Sequence, residues 1–452
     1  MAQYRLPTTG LYKSVNCASK LRRTNRRVLK AVRTTQLFMK KEGEPVKYVI
    51  IGNSVAGISA VEGIRQKDKN GEITIISNEP YHTYSRPLIS YFLLGKINEN
   101  SMKYRDDNFY LKNKCTLLKD TVADKIDSAR KQVLLTNGKS ILYDKLLIAT
   151  GSQPFIPHFE GLDTVENKLT FMSFDDALKI KKIIDTDKRV LIIGAGLIGL
   201  KCAEGILEKV ENITVLDLAP RILPAVLDNG GAEVVQKHLE SKGVKFRLSN
   251  SAKRFEKNTV VFNDDERSEF DVLVLAVGVR PNTALLQGIA EIDKGILINE
   301  KSETSVSDIY AAGDCTQTLD VSSGQKKVMA LLPNAYMQGE CAGINMAGGD
   351  SSFGKAVPMN AAGFFGLHII TAGSYAGEEY TETGNGYYKK LFYSDNKLNG
   401  YMLVGNVEKA GIYTSLIRER TPLDTIDFKL VCEKSGLMAF TKEDRLIKLG
   451  GY

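Results

Sequence analysis

The chain has 452 residues, 43% hydrophobic and 25% charged, a composition typical of water-soluble globular proteins and a length too great for one hydrophobic core. No uninterrupted apolar run reaches the roughly 18 residues that suggest a membrane span; the most apolar stretch, Met359 to Ala376, is broken by Asn360, His368 and Ser374 and reads as buried sheet or helix. The net charge of +8 suggests nucleic acid only until it is located. Residues 1–41 carry eleven Lys and Arg and no acid, and removing them leaves 42–452 at about −3, so no nucleic-acid partner is expected.

The first 38 residues differ from the rest. Arg22, Arg23, Arg26, Arg27, Lys30 and Arg33 interleave with Leu21, Val28, Leu29 and Val32, a basic amphipathic pattern. Three readings stay open: an organellar transit peptide, a native start at Met39, or a basic arm. Each excludes that segment from the fold, and residues 1–46 are set apart as a basic N-terminal extension. The compartment expected is the cytoplasm, or an organelle matrix if 1–38 is a transit peptide. Six cysteines (Cys17, Cys115, Cys202, Cys315, Cys341 and Cys432) are scattered singly, with no CxxC pair and no His cluster nearby. That argues against a metal site or a disulfide framework and favours a reducing compartment. Cys202 lies within a helix pattern and reads as a small core hydrophobe.

From Tyr48 onward short β-branched runs alternate with helical stretches, which predicts parallel βαβ units. Two of them open on glycine-rich turns, a duplicated nucleotide-binding design. In the first, Tyr48-Val-Ile-Ile-Gly52-Asn-Ser54-Val-Ala56-Gly57 leads from a strand into a helix expected over Ile58–Gln66. Gly52 permits the turn, Ser54 lets backbone approach a pyrophosphate, and Gly57 lets helix and strand pack closely. A phosphate would then meet the free N–H groups and positive dipole end of the helix. The next strand, Ile73–Ile76, ends at Asn78-Glu79, where a ribose-binding acid is expected.

The second turn, Arg189-Val-Leu-Ile-Ile-Gly194-Ala-Gly196-Leu-Ile198-Gly199, is a full GxGxxG after a strand. Its partner strand, from Ile213, ends at Asp217, 23 residues past Gly194. That spacing suits a carboxylate accepting from both ribose hydroxyls of NAD, and it would repel a 2′-phosphate. Arg221 is the nearest cation. Phe270–Asn282, with Gly278 inside it, reads as a strand closing this unit. After about residue 356 the texture becomes aromatic and alternating, as in Tyr387–Tyr393 and Lys397–Val404, which predicts an antiparallel α+β domain.

Two further hydrophobic strands end in small residues: Leu146-Leu-Ile-Ala149-Thr150-Gly151 and Ile309-Tyr-Ala-Ala-Gly313-Asp314. In this order after the first turn, they make the chain resemble the FAD-dependent pyridine nucleotide oxidoreductases from Tyr48 to about Arg420. Within that family it is most similar to the rubredoxin reductase, ferredoxin reductase and NADH-nitrite reductase flavoprotein branch. The resemblance implies an α/β fold with two Rossmann-like nucleotide-binding domains, glutathione reductase-like, plus a C-terminal α+β interface domain. The boundaries it suggests are 47–155 with 280–355 for an FAD domain, 156–279 for an NAD domain, and 356–452 for the third. FAD and NAD, as NADH rather than NADPH, are the implied cofactors. Asp314 would contact the flavin ribityl chain, and Pro333–Gly339, with Ala335, would be the helix aimed at the flavin. Arg86 would contact the FAD phosphates or adenosine. Ala123, Ala149, Thr150, Gly151 and Gly313 join the implied FAD contacts, and Ile198 and Gly278 the implied NAD contacts.

The implied chemistry is hydride transfer from nicotinamide to flavin, with the protein supplying alignment and charge. Thiol-dependent relatives carry cysteine soon after the first turn; here none lies between Gly52 and Lys114. Electrons are therefore expected to pass directly to a small carrier, rubredoxin or ferredoxin. Alternatives are an NADH oxidase using oxygen, an NADH-accepting subunit of a nitrite reductase-like complex, and a signalling flavoprotein like apoptosis-inducing factor, which the acidic body opposes. One departure stands out. Where that branch often places a Lys and a Glu near the flavin, this chain has Tyr91 and Lys201, so the familiar salt bridge is not expected. Lys201 would offset charge gained by the flavin or lie in solvent. Phe364, Phe365 and His368 read either as an acceptor-facing surface or as core. A homodimer through the C-terminal domain is also expected.

Overall fold

The structure, a computed structural model, describes residues 43–434. Backbone contacts divide the chain into two units, Met1–Pro45 and Val46–Tyr452. The readings of the basic extension, Cys17 and Met39 fall outside the described residues.

In the second unit β1 (Lys47–Ile51) has four of its five residues buried, as a parallel strand covered on both faces must. It turns into α1 (Val55–Lys67), then β2 (Glu72–Ile76), paired parallel with Tyr48 opposite Ile73. The helix starts at Val55, ahead of the expected Ile58, because Gly57 packs on β1 from within its first turn. A short α2 (Ile89–Leu93) follows, and β3 (Cys115–Leu118) extends the sheet past β2. An antiparallel meander of β4 (Ala123–Asp127), β5 (Gln132–Leu135) and β6 (Ser140–Leu142) leads to β7 (Lys145–Ile148), parallel on the other edge of β1.

The chain then leaves through β8 (Ser152–Pro154). Beyond it come β9 (Lys168–Thr170) and α3 (Phe174–Ile183), whose N-terminus is fixed by a reciprocal cap between Ser173 and Asp176. The second glycine turn joins β10 (Arg189–Ile193) to α4 (Leu197–Ile206). Next in order are β11 (Asn212–Leu216), α5 (Asn229–Ser241) and β12 (Lys245–Arg247). A second meander, β13 (Ala252–Glu256), β14 (Thr259–Phe262) and β15 (Arg267–Glu269), feeds β16 (Val272–Leu275). The sheet order is β12–β11–β10–β16–β9, so β10 is flanked as β1 is.

The return strand β17 (Val279–Pro281) pairs antiparallel with β8, Arg280 opposite Gln153. Thr150 Oγ1 donates to Asn282 O (2.7 Å), and Asn282 Nδ2 donates to Thr150 O (2.9 Å). Outgoing and returning chains are thus stitched together. After β18 (Ile296–Leu297), β19 (Ile309–Ala311) takes the free edge of β7 and completes the order β19–β7–β1–β2–β3. The hairpin β20 (Thr316–Asp320) and β21 (Gln325–Val328) precedes α6 (Leu332–Met346), which packs along α1.

The last domain is a five-stranded antiparallel sheet: β22 (Met359–Phe364), β23 (Leu367–Gly373), β24 (Glu378–Gly384), β25 (Tyr387–Ser394) and β26 (Lys397–Val404). The helix α7 (Ala410–Glu419) buries Tyr413 and Leu416 against Tyr401 and Leu391. The fold is therefore α/β with two Rossmann-like domains and a C-terminal α+β domain. The apolar stretch from Met359 forms the β22–β23 hairpin. Phe364 at its tip is fully buried, so of its two readings core packing is the one realised, whereas His368 is exposed. No helix among the described residues is long and apolar enough to cross a membrane.

Candidate active site

A cavity of about 650 Å³ opens at the C-terminal ends of β1, β7 and β19, where open parallel sheets bind ligands. It is lined by Gly52, Ser54 and Ala56 of the first turn, by Asn78 and Glu79 after β2, and by Arg86 and Ala123. Ala149, Thr150 and Gly151, Gly313 and Asp314, and Ala335 on α6 complete its wall, with Ile198 and Lys201 entering from α4. The structure thus brings together nearly all residues expected at the first cofactor. Gly57 packs just behind the wall. Ile198, expected at the second cofactor, faces this cavity.

Local geometry explains these residue types. Gly52 has φ +125°, and a Cβ there would collide with the Ala149 carbonyl. Its N–H donates to Ile76 O at 2.9 Å, fixing the turn to the end of β2. Glu79 Oε1 accepts from Arg86 Nη2 (3.0 Å) and Tyr84 Oη (3.1 Å), while Arg86 Nη1 reaches Met172 O of the second domain (3.2 Å). Arg86 thereby joins the two domains at the cavity wall and leaves Glu79 Oε2 for another donor.

Among the described residues the Asp314 side chain has a single hydrogen bond, a long one from Ser152 Oγ at 3.4 Å. Burial pushes its carboxyl above the usual range, against the opposing Ser152 hydroxyl and Arg86 charge. A desolvated carboxylate short of donors fits a ligand rich in hydroxyls, and α6 aims fifteen residues of helix at the same space with Pro333 near its start. These residues fit FAD. The raised carboxyl also fixes a sign. Between the unfolded value of about 3.9 and the native one, the folded chain holds a proton that the unfolded chain has lost. Stability of the flavin-free protein therefore falls as pH rises through that interval. Asp314→Asn should raise the flavin-free melting temperature at neutral pH and flatten that slope. Thermal unfolding followed from about pH 4 to about pH 8 checks both.

None of the cysteines among the described residues lines the cavity. Cys315, next to Asp314, is fully buried on Ile148 O and Ala312 O, and burial pushes its thiol up to about 11. Cys115 is pushed up to about 12.

The second turn repeats the first. Gly194 has φ +114°, and its N–H donates to Leu216 O at 2.8 Å. Gly194, Gly196, Gly199, Asp217 and Gly278 stand apart from the cavity, at the end of the second sheet. Asp217 Oδ2 accepts from Ala195 N (2.7 Å) and Oδ1 from Ala219 N (2.8 Å), so the acid is held across the turn. The cations nearby are committed elsewhere. Arg221 donates to Leu227 O and Pro224 O, and Arg247 pairs with Asp264 and Glu266.

Tyr91 does not line the cavity; its ring lies 4.5 Å from the Lys201 ammonium, which does. Lys201 pairs with Glu204, three residues along α4, so an ion pair exists here though not between the positions first considered. Sequence reading gives no role to Glu204, Phe171 or Asn282. Glu204 had a signal, the i, i+3 spacing from Lys201 on one helix, and Asn282 ends the Phe270–Asn282 segment. Phe171 had none, since only the folded domains bring it to the wall.

Comparison with known proteins agrees with this geometry. Residues 46–339 match the family described as pyridine nucleotide-disulphide oxidoreductase, and the chain belongs to it. It is an FAD-dependent NADH oxidoreductase, an electron-transfer flavoprotein. The NADH-dependent phenylglyoxylate dehydrogenase subunit epsilon of Aromatoleum evansii is 30% identical over 402 residues, 86% of this chain and 95% of that protein. The NADH-rubredoxin oxidoreductase of Clostridium acetobutylicum is 29% identical, over 80% of this chain and 91% of the relative. Among solved structures, the reductase in a covalent putidaredoxin reductase–putidaredoxin complex superposes with a TM-score of 0.80 at 23% identity, covering 90% of this chain and 99% of that one; this likeness is one of fold.

Proposed function

We propose that this protein passes electrons from NADH through FAD to a small electron-carrier protein of the rubredoxin or ferredoxin type. One observation carries the choice of acceptor: no cysteine among the described residues borders the cavity, and the two adjacent in sequence to its lining, Cys315 beside Asp314 and Cys202 beside Lys201, are buried thiols that burial pushes up. A thiol relay needs a thiolate within reach. FAD, when bound, accepts a hydride's two electrons and can release them singly.

In this reading Gly52, Ser54, Ala56 and Gly57 shape the phosphate turn, Asn78 and Glu79 hold the adenosine ribose, and Arg86 neutralises pyrophosphate. Ala123, Ala149, Thr150, Gly151 and Gly313 supply close backbone approach, Asp314 holds the ribityl hydroxyls, and Ala335 stands at the flavin end. Gly194, Gly196, Ile198, Gly199 and Gly278 shape the NADH path. The boundaries 47–155 with 280–355, 156–279 and 356–452 are kept as the proposed domains. Ala330 and Leu332, exposed at the cavity rim, leave an edge for a carrier. A homodimer through the C-terminal sheet is retained, and the free cysteines suit a reducing compartment, the cytoplasm.

Asp217 accepts from the adenosine ribose of NADH. Asp217→Ala should raise KM for NADH about tenfold to a hundredfold, the worth of hydrogen bonds to a charged group, and raise KM for NADPH far less. Steady-state kinetics with both nucleotides checks this. A second reading, an NADH-linked subunit of a larger dehydrogenase, is favoured by the near full-length match to a subunit epsilon. Anaerobic reduction by NADH, then rapid mixing with rubredoxin, ferredoxin or oxygen, separates these. Fast reoxidation by a carrier supports the proposal, whereas reoxidation by oxygen alone, or by none of the three, removes it.

A further inference from the structure

At the tip of the β22–β23 hairpin, Phe364 pairs with Leu367, leaving Phe365 and Gly366 as a two-residue turn. Their φ values are +48° and +89°. Asn-Gly suits such a turn; a phenylalanine in the left-handed region costs on the order of 1–3 kcal/mol and persists only where its surroundings over-determine it. The surroundings here are specific. Glu204 Oε1 accepts the Phe365 N–H at 2.9 Å, Lys201 Nζ donates to Gly363 O at 3.1 Å, and a ring nitrogen of His238 bonds Phe364 O at 3.0 Å. All three holders belong to the second nucleotide domain, on α4 and α5.

The same ammonium touches the first domain. Lys201 Nζ lies 4.5 Å from the centre of the Tyr91 ring on α2 and 5.7 Å from that of Phe364. Lys209, just past α4, donates to Leu93 O at the end of α2 (2.8 Å). Elements of all three domains therefore meet at Lys201, which also lines the cavity. Its charge is paired with the nearly buried Glu204, whose side chain is 4% exposed, so little net field is left to act on a ligand.

We propose that Lys201, Glu204 and His238 form a latch that holds the strained Phe365–Gly366 turn against the second nucleotide domain, and that the latch positions α4, and with it the nicotinamide, over the cavity. Lys201 is then a positioning residue and not a counter-charge. This rests on the reading that NADH enters along α4.

Glu204→Gln, His238→Ala and Glu204→Gln/Phe365→Gly test it. Glu204→Gln should keep its FAD yet raise KM for NADH about tenfold, with a smaller change in kcat. Amide hydrogen exchange across 363–367 should quicken in the flavin-free and flavin-loaded protein alike. Adding Phe365→Gly removes the strain, so the double variant should recover most of the KM. Should Glu204→Gln not fold, His238→Ala cuts one tie, leaves the ion pair, and should give the same signs at smaller size. Unchanged KM in the variant that folds, or a double variant no better than Glu204→Gln, overturns the latch. A wild-type protein that binds FAD but is not reduced by NADH overturns the underlying site reading instead.

Discussion

Gly199→Val should yield a yellow protein that NADH reduces about a hundredfold more slowly than wild type. Gly199 lies in the first turn of α4, where a Cβ would collide with the Gly194 carbonyl and press on Ile192. Gly194 belongs to the turn expected to receive the pyrophosphate of NADH and Ile192 to the strand that feeds it, so the valine must lift α4 from β10 by about an ångström. A displacement of that size at a hydride-transfer site costs about a hundredfold in rate. The first sheet and its glycine turn should hold, and only the edge of the cavity that α4 carries, at Ile198 and Lys201, should shift. Gly199 stands outside the cavity, and the first sheet has its own cores around Ile50 and Ile148. Flavin content should therefore match the wild type, and dithionite should still bleach the protein. Anaerobic rapid mixing with NADH measures the rate; reduction within tenfold of wild type would rule out the second turn as the nucleotide path.

Both turns are legible in the sequence because each of their constraints is local. A glycine that must take positive φ, a small residue two further on and an acid at the next strand's end all fall within one βαβ unit. The long apolar strands are legible for the same reason, since their buried faces follow from their own residues. The meanders β4–β6 and β13–β15 are not. Their strands are short and broken by charges such as Lys125 and Arg254, and their few buried residues, Val133 and Phe255 among them, find cover only in the folded domain. The latch is the least legible feature. Phe365 and Glu204 are 161 positions apart, and Lys201 and Gly363 are 162 apart, and no periodicity links them. What the sequence does show is a rule broken locally, Phe-Gly where a two-residue turn prefers Asn-Gly, and such a breach is where function or strain is to be sought.

Gly343→Val should cost on the order of 3 kcal/mol, the upper part of the range for overpacking, and should loosen FAD as well. Gly339 and Gly343 lie four residues apart on one face of α6. A Cβ on either would meet α1 backbone, the Ala56 carbonyl in one case and the Ala60 carbonyl in the other. Backbone cannot swing aside as a side chain can, so the helices must part. Their separation matters at the other end. α1 begins at the first turn, and α6 begins beside Leu332 and Ala335 on the cavity wall. Gln338, next to Gly339, accepts through Oε1 from Gly313 N (2.8 Å) and from Thr316 Oγ1 (3.2 Å). Moving α6 therefore moves the Gly313–Asp314 corner, and with it the carboxylate proposed to hold the flavin. Gly343→Ala should show a smaller loss of the same kind. Urea denaturation of both variants should give lower midpoints at unchanged slope, in the order alanine then valine, with flavin retained on gel filtration falling in parallel. A valine variant with a wild-type midpoint would mean that the α1–α6 seam has room that this packing denies.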